Sequence, residues 1–163
     1  MDTIYLIQNL LSLHSMQCSM DSRDFKDGLC LTIFGLMDSL MMNETEFEKY
    51  IFTENDGYLY CYSEENLEKL NSLTNKEHIF LCCSKPDGFF NHTALPLNNY
   101  KYHYKIKLKN NTFGIDVNSF FEGDNIISKK NLNEKLYFNN GNYHPQEKEV
   151  IVKLKDIEFE RIK

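Results

Sequence analysis

The chain has 163 residues, of which 42% are hydrophobic and 13% aromatic, so it can bury one core but not two full-sized domains. Its formal charge of −6 is spread over both signs, which disfavours the basic surface that binds nucleic-acid phosphates. The five cysteines are odd in number and lack CxxC spacing, which argues against a disulfide framework or a zinc site and indicates a reducing compartment.

The N-terminus lacks the pattern of a signal peptide. Asp2 stands where positive charge is expected, and polar residues follow within about a dozen positions. No apolar run reaches the roughly 20 residues that a membrane span requires. These features predict a protein that works in a cytoplasm, or is delivered to one, and that does not enter a membrane.

Residues 1–53 are predicted to form a helical N-terminal segment. Within 3–18, one stripe at helical spacing is apolar: Ile4, Ile7, Leu10 and Leu11. Residues 29–42 are apolar on nearly every face. Such a helix is either buried in the core of its own chain or covered by a partner protein or a second copy.

The hydrophobic period changes from 3.6 to 2 near residue 54. Tyr58, Tyr60 and Tyr62 lie on one side of a predicted strand, as sheet core or as a stacking platform. Ser63 then stands at an N-cap position before a predicted helix over 64–73. A continuous apolar run, HIFLCCS, follows as the next strand.

Three further strands are predicted in the C-terminal half. The clearest is 101–108, where aromatic and aliphatic residues alternate with lysines and a histidine. Asn110-Asn111 is a candidate tight turn into a strand at 112–117. The last strand is predicted at 148–154.

Two carboxylates begin this last strand. In HPQEKEV, Glu147 and Glu149 are separated by one residue, so in a regular strand they project from the same side, roughly 7 Å apart. The pair is either a catalytic constellation or part of a solvated strand face. The histidines show no ligand spacing such as HExxH, so no metal site is predicted.

The order of these elements resembles the catalytic half of ADP-ribosyltransferases of the cholera-toxin and heat-labile-enterotoxin type. An aromatic strand (YKYHYKIKL), a second strand (FGIDV), a polar insert and HPQEKEV follow one another as in that family, over approximately residues 57–160. The resemblance implies an α+β fold, in which the helical segment 1–53 precedes a split antiparallel β-sheet in 54–163.

The resemblance also implies chemistry. NAD would be the substrate, and Glu149 would stabilise the oxocarbenium-like state formed when the bond between nicotinamide and ribose breaks. Glu147 would position or deprotonate a macromolecular acceptor, a protein or a nucleic acid.

The positions that match the cofactor-binding strands of the family are Tyr60 and Cys61 on one strand and Cys82 and Ser84 on another. Cys61 occupies the place of an arginine that holds the NAD phosphates in the family, and a thiol cannot supply that charge. Two hypotheses therefore remain: an NAD-dependent transferase, favoured by the E-x-E motif, or a catalytically inactive relative, favoured by the missing arginine. The inactive relative would bind a partner protein through the N-terminal helices. A nucleophilic Cys82 is disfavoured, because a thiol in an apolar strand has a raised pKa.

Overall fold

The structure is a computed structural model, and it divides the chain into two compact units. The first comprises Met1–Tyr50 with Val117–His144, and the second comprises Ile51–Asp116 with Pro145–Lys163. The residues that the structure describes are 3–16, 23–43, 46–73, 76–88, 100–122 and 147–162.

The predicted N-terminal helices are present in the first unit. Helix α1 spans Thr3–Met16 and helix α2 spans Arg23–Asn43. Ile7 and Leu11 of α1 are fully buried, and α2 buries a face at spacings of three and four residues: Cys30, Ile33, Phe34, Met37 and Leu40. The opposite side of α2 is exposed, so this helix is not covered all round. Among the described residues, no helix is both long enough and apolar enough to span a bilayer.

Two short 3-10 segments complete the described part of the first unit. They span Phe47–Tyr50 and Val117–Phe121. Tyr50 and Phe120 stack with ring centroids 4.5 Å apart, and the Gln8 side-chain amide donates a buried hydrogen bond of 2.6 Å to the Phe120 carbonyl. The contact between Gln8 and Phe120 joins segments that lie 112 residues apart in sequence.

The second unit is built on one antiparallel sheet of seven strands. The strands are β1 (Ile51–Thr53), β2 (Leu59–Ser63), β3 (Phe80–Ser84), β4 (Tyr102–Leu108), β5 (Phe113–Asp116), β6 (Glu149–Lys153) and β7 (Ile157–Arg161). Their order in the sheet is β1-β5-β6-β3-β2-β4-β7. The sequence predicted the middle five, whereas it missed the two edge strands, β1 and β7. The α+β class with N-terminal helices is confirmed.

The predicted turn at Asn110-Asn111 is present, but the two strands that it joins, β4 and β5, do not pair with each other. Strand β4 pairs with β7 and strand β5 with β6. Strands β4 and β5 are consecutive in the chain, and so are β6 and β7. The segment β4–β5 therefore pairs along its whole length with the segment β6–β7, as one long antiparallel ribbon. The ribbon bends at the two links, residues 109–112 and 154–156. The first of these links is one residue longer, and Asn111 absorbs the difference with a positive φ of 63°. The bend lets the sheet curl back on itself.

The core of the second unit lies on one face of the curled sheet. It is a single cluster that collects side chains from every strand except β5, among them Phe52, Leu59, Leu81, Tyr104, Val150 and Ile157. Gly114 permits the close approach of β5 to β6, because a Cβ there would lie 2.8 Å from the side chains of Val150 and Val152. The opposite face carries the polar side chains described below and also the buried Phe80, Ile115 and Ile151.

The helix after β2 is shorter than predicted. Helix α3 spans only Leu67–Asn71, and its N-cap is Asn66, whose side chain accepts from the Lys69 amide at 3.1 Å. Ser63 instead accepts from the Glu65 amide, which forms a local turn before the helix. The prediction of a Ser63 cap was therefore wrong, because a side chain can satisfy a nearby amide without starting a helix.

Candidate functional site

Three of the sequence-predicted site residues fall in one row across the sheet. Tyr60 on β2 is opposite Ser84 on β3, and Ser84 is opposite Glu149 on β6. The row continues on the other side of Tyr60 to Lys105 on β4 and then to Glu160 on β7. Side chains that face each other across antiparallel strands project on the same side. We call these five residues the polar row.

The predicted cysteines lie on opposite faces. Cys82 is exposed, shares the face of Ser84 and is opposite Ile151 of β6. Cys61 is buried in the core cluster next to Cys83. A hydrogen bond with Cys61 and burial together raise the pKa of Cys83 well above its usual range, so the Cys83 thiol is an unreactive packing group. Cys61 therefore does not line the face that carries the polar row.

Glu147 has the most perturbed carboxyl group near this row. Burial, and secondarily the charge of Glu149, raise the pKa of Glu147 to about 7. Both effects disfavour the ionised form. At neutral pH this side chain can therefore both accept and release a proton, which is the property required of a general base or acid.

The backbone around Glu147 is held by the turn that follows β3. The Lys85 amide donates to the Lys148 carbonyl at 3.2 Å, and the Gly88 amide donates to the Lys85 carbonyl at 2.9 Å. A Cβ on Gly88 would overlap the Glu147 carbonyl oxygen, so only glycine allows this approach. Lys148 has a positive φ of 50° and pairs with Asp87. The two glutamates are therefore placed by a turn and not by simple strand alternation.

The described part of the chain has no guanidinium in the polar row. Arg161 is opposite Tyr104 on β4, which places it on the other face of the sheet, and its side chain approaches Glu68 at 3.7 Å. The cation in the row is Lys105, whose ammonium lies 4.2 Å from the ring centroid of Tyr58. Sequence reasoning did not select Lys105, although the lysines alternating along β4 were the available signal.

A second lysine near the glutamates is already paired. The Lys85 ammonium lies 2.7 Å from a carboxylate oxygen of Asp116 and 5.9 Å from the centroid of the Phe52 ring. Its half-buried side chain is therefore committed to neutralising Asp116. This leaves Lys105 as the exposed cation in line with Glu149.

Aromatic rings cover the centre of this face. Tyr60 contacts Tyr58 edge to face at 5.3 Å, and Tyr62 stacks on His103 at 4.1 Å. Tyr60 also lies 5.3 Å from His103. The rings form a continuous surface between the glutamates on one side and the lysines of β4 on the other, against which a planar group can pack.

No protein-family model matches the chain, and neither the curated proteins nor the solved structures contain a significant match. The site is therefore defined by its own geometry. It contains a carboxylate and an adjacent proton-exchanging carboxyl, with a hydroxyl, aromatic rings and one cation in line across the sheet.

Proposed function

We propose that the protein is an NAD-dependent ADP-ribosyltransferase that modifies a macromolecular acceptor, namely a protein. The observation that carries the proposal is the position of Glu149 at one end of the polar row, with Lys105 three strands away. Glu147 precedes Glu149 by two residues, and burial and the Glu149 charge raise its pKa to about 7. A general base is most effective when its pKa is near the working pH. A solvated strand face does not require such a group.

The two carboxyl groups have different roles in this proposal. The Glu149 carboxylate stabilises the positive charge that develops on the ribose as its C1′–N bond breaks, and the bonding electron pair leaves with neutral nicotinamide. The acceptor nucleophile then bonds to C1′ and transfers its proton to Glu147. The raised pKa of Glu147 allows it to hold this proton and release it to water afterwards.

NAD itself would lie along the polar row. Tyr60 and the exposed Cys82 offer a ring and a thiol on one face beside Glu149, and Ser84 shares this face but is buried. Lys105 would supply the positive charge for the diphosphate that an arginine supplies in the family. Three strand spacings of about 4.8 Å separate Lys105 from Glu149, roughly 14 Å in all, which suits an extended dinucleotide. Cys61, in the core, contributes packing only.

The test is release of nicotinamide from NAD by the full chain in the presence of a protein acceptor mixture. Glu149→Gln should lower the rate by several orders of magnitude, because it removes the stabilising charge and keeps the shape. Glu147→Gln should reduce transfer to the acceptor more than hydrolysis of NAD. Lys105→Ala should raise the KM for NAD. Glu77→Gln, at an exposed position away from the row, is the matched control. Absence of release by the parent protein would refute the proposal.

A catalytically inactive relative that binds a partner is the second candidate. It is favoured by the lack of a guanidinium in the row among the described residues and by the exposed apolar side of α2, where Phe25, Leu31 and Met42 are 49%, 43% and 85% exposed. In this case 29–42 would contact the partner or a second copy. Calorimetric titration with NAD separates the two candidates, because only the enzyme should bind the dinucleotide.

A further inference from the structure

Strand β7 leaves one row of backbone groups pointing away from the sheet. The Ile162 amide donates to the His103 carbonyl at 2.7 Å. This bond and the register show that the even-numbered residues of β7 are the ones that bond to β4. In an antiparallel pair, alternate residues bond to the neighbouring strand and those between them point outward. The outward amides and carbonyls are therefore those of Ile157, Phe159 and Arg161.

This edge is accessible. Glu158, Glu160 and Arg161 are exposed, and β7 is the last strand of the sheet. The Ile157 amide donates to the Leu154 carbonyl. Within the described ranges, the outward amides and carbonyls of Phe159 and Arg161 make no hydrogen bond. An open strand edge of this kind is a template for pairing with another extended segment.

The charges beside this edge select the kind of segment that fits. Glu158 and Glu160 lie opposite Lys107 and Lys105 of β4, and a cavity of about 480 Å³ adjoins them. Glu54 and Tyr58 form part of the wall of the same cavity. An arriving strand with basic residues on this side would place them against Glu158 and Glu160, as β4 does from within the sheet. Opposite charges across a strand pair are stabilising.

A second copy of the chain is a poor fit to the same edge. Antiparallel pairing of β7 with itself around Phe159 would place Glu158 opposite Glu160 of the other copy, and Glu160 opposite its Glu158. Like charges directly opposite each other destabilise a strand pair. The glutamates thus oppose self-association and favour a partner of opposite charge.

We propose that the β7 edge docks an extended segment of a partner protein in which lysine or arginine alternates with apolar residues. The segment adds a strand beyond β7. Its backbone bonds to the amides and carbonyls of Phe159 and Arg161. Its basic side chains face Glu158 and Glu160. This inference is independent of the chemistry at Glu147 and Glu149.

The test is fluorescence anisotropy of the full chain with a labelled peptide of alternating lysine and valine. A peptide of the same composition with the lysines and valines in separate blocks controls for charge alone. The alternating peptide should bind at least tenfold more tightly, a difference of about 1.4 kcal/mol. Equal affinity for the two peptides, or no binding of either, would overturn the proposal.

Two variants locate the interaction. The double reversal Glu158→Lys with Glu160→Lys should weaken binding at least tenfold, whereas Glu77→Lys, an equally exposed reversal elsewhere, should have a much smaller effect. Arg161→Pro removes an outward amide and keeps the bond between Ile162 and His103, so it should also weaken binding. Arg161→Gln loses the same charge but keeps the amide, and should bind as the parent does. Equal binding by these two Arg161 variants, or self-association that Arg161→Pro abolishes, would refute docking of a basic partner strand.

Discussion

Glu147 couples the proposed chemistry to the pH dependence of folding. Its carboxyl has a pKa of about 7 in the folded chain against 4.5 ordinarily, because burial and Glu149 disfavour the ionised form. The folded state therefore binds this proton more tightly than the unfolded state does. The stability associated with the protonated form is fully present below about pH 4.5 and is lost as the pH rises through 7.

We expect this group to lower the free energy of unfolding by roughly 1 to 2 kcal/mol between pH 4.5 and 8. The full shift would correspond to about 3.4 kcal/mol, but partial exposure of the side chain screens the effect. Urea denaturation at a series of pH values measures it. Glu147→Gln should remove this part of the pH dependence and Glu77→Gln should preserve it. An unchanged profile in Glu147→Gln would show that the carboxyl is not perturbed.

A substitution at Gly88 probes the close contact between Gly88 and the backbone of Glu147. Gly88→Ala should destabilise the protein by about 1 to 3 kcal/mol, because its Cβ would overlap the Glu147 carbonyl oxygen. Gly28→Ala in α2 is the control: a Cβ there meets nothing within 4 Å, and alanine should stabilise the helix by about 0.5 to 1 kcal/mol. Chemical denaturation measures the free energy of unfolding of both variants, which should fall for Gly88→Ala and rise for Gly28→Ala. A neutral Gly88→Ala would contradict the close approach.

At the scale of elements, Tyr104 attaches α3 to the sheet. Its hydroxyl accepts from the Leu67 amide at 3.0 Å and donates to the Glu68 carboxylate at 2.9 Å. The ring is fully buried on β4, so the two bonds lie at the junction of strand and helix. They satisfy an amide of the first helical turn that has no partner within the helix.

Tyr104→Phe should therefore cost about 1 to 3 kcal/mol, because the buried Leu67 amide loses its acceptor. Tyr102→Phe, two residues earlier on the same strand, is the matched control. The Tyr102 hydroxyl forms no hydrogen bond with any described residue, so this change should cost less than about 0.5 kcal/mol. Thermal unfolding of both variants compares them. Equal costs would indicate that the hydroxyl of Tyr104 does not anchor α3.

At the scale of the whole chain, the packing of the first unit depends on contacts between residues 1–50 and the segment around Phe120. Deletion of residues 1–50 removes α1, α2 and Tyr50, which leaves the buried Phe120 without the ring it stacks on and without Gln8. The resulting exposed apolar surface should produce insoluble protein or a changed oligomer. Size-exclusion chromatography with light scattering tests this expectation, and a soluble monomer would contradict it. Phe120→Ala, expected to cost about 3 to 5 kcal/mol, tests the same packing without a deletion.

Local periodicity was sufficient to predict most of the elements. In β4 the lysines alternate with Tyr104, Ile106 and Leu108, and these three residues are buried as predicted. The edge strands β1 and β7 were missed. Strand β1 has only three residues, whereas the alternation of Ile157 and Phe159 with two glutamates was an available signal for β7. The carboxylate pair was also visible in the sequence, since Glu147 and Glu149 are close along the chain.

The sequence by itself determined the two N-terminal helices, the five inner strands and the apolar side of a strand such as β4, because these features depend on neighbours a few positions away. Only the tertiary structure decided that β4 pairs with β7 and not with β5. It also decided that Tyr60, Ser84, Glu149 and Lys105 share a row and that the pKa of Glu147 is near 7. Strand order and burial depend on which distant segments become neighbours, and local periodicity carries no information about that choice.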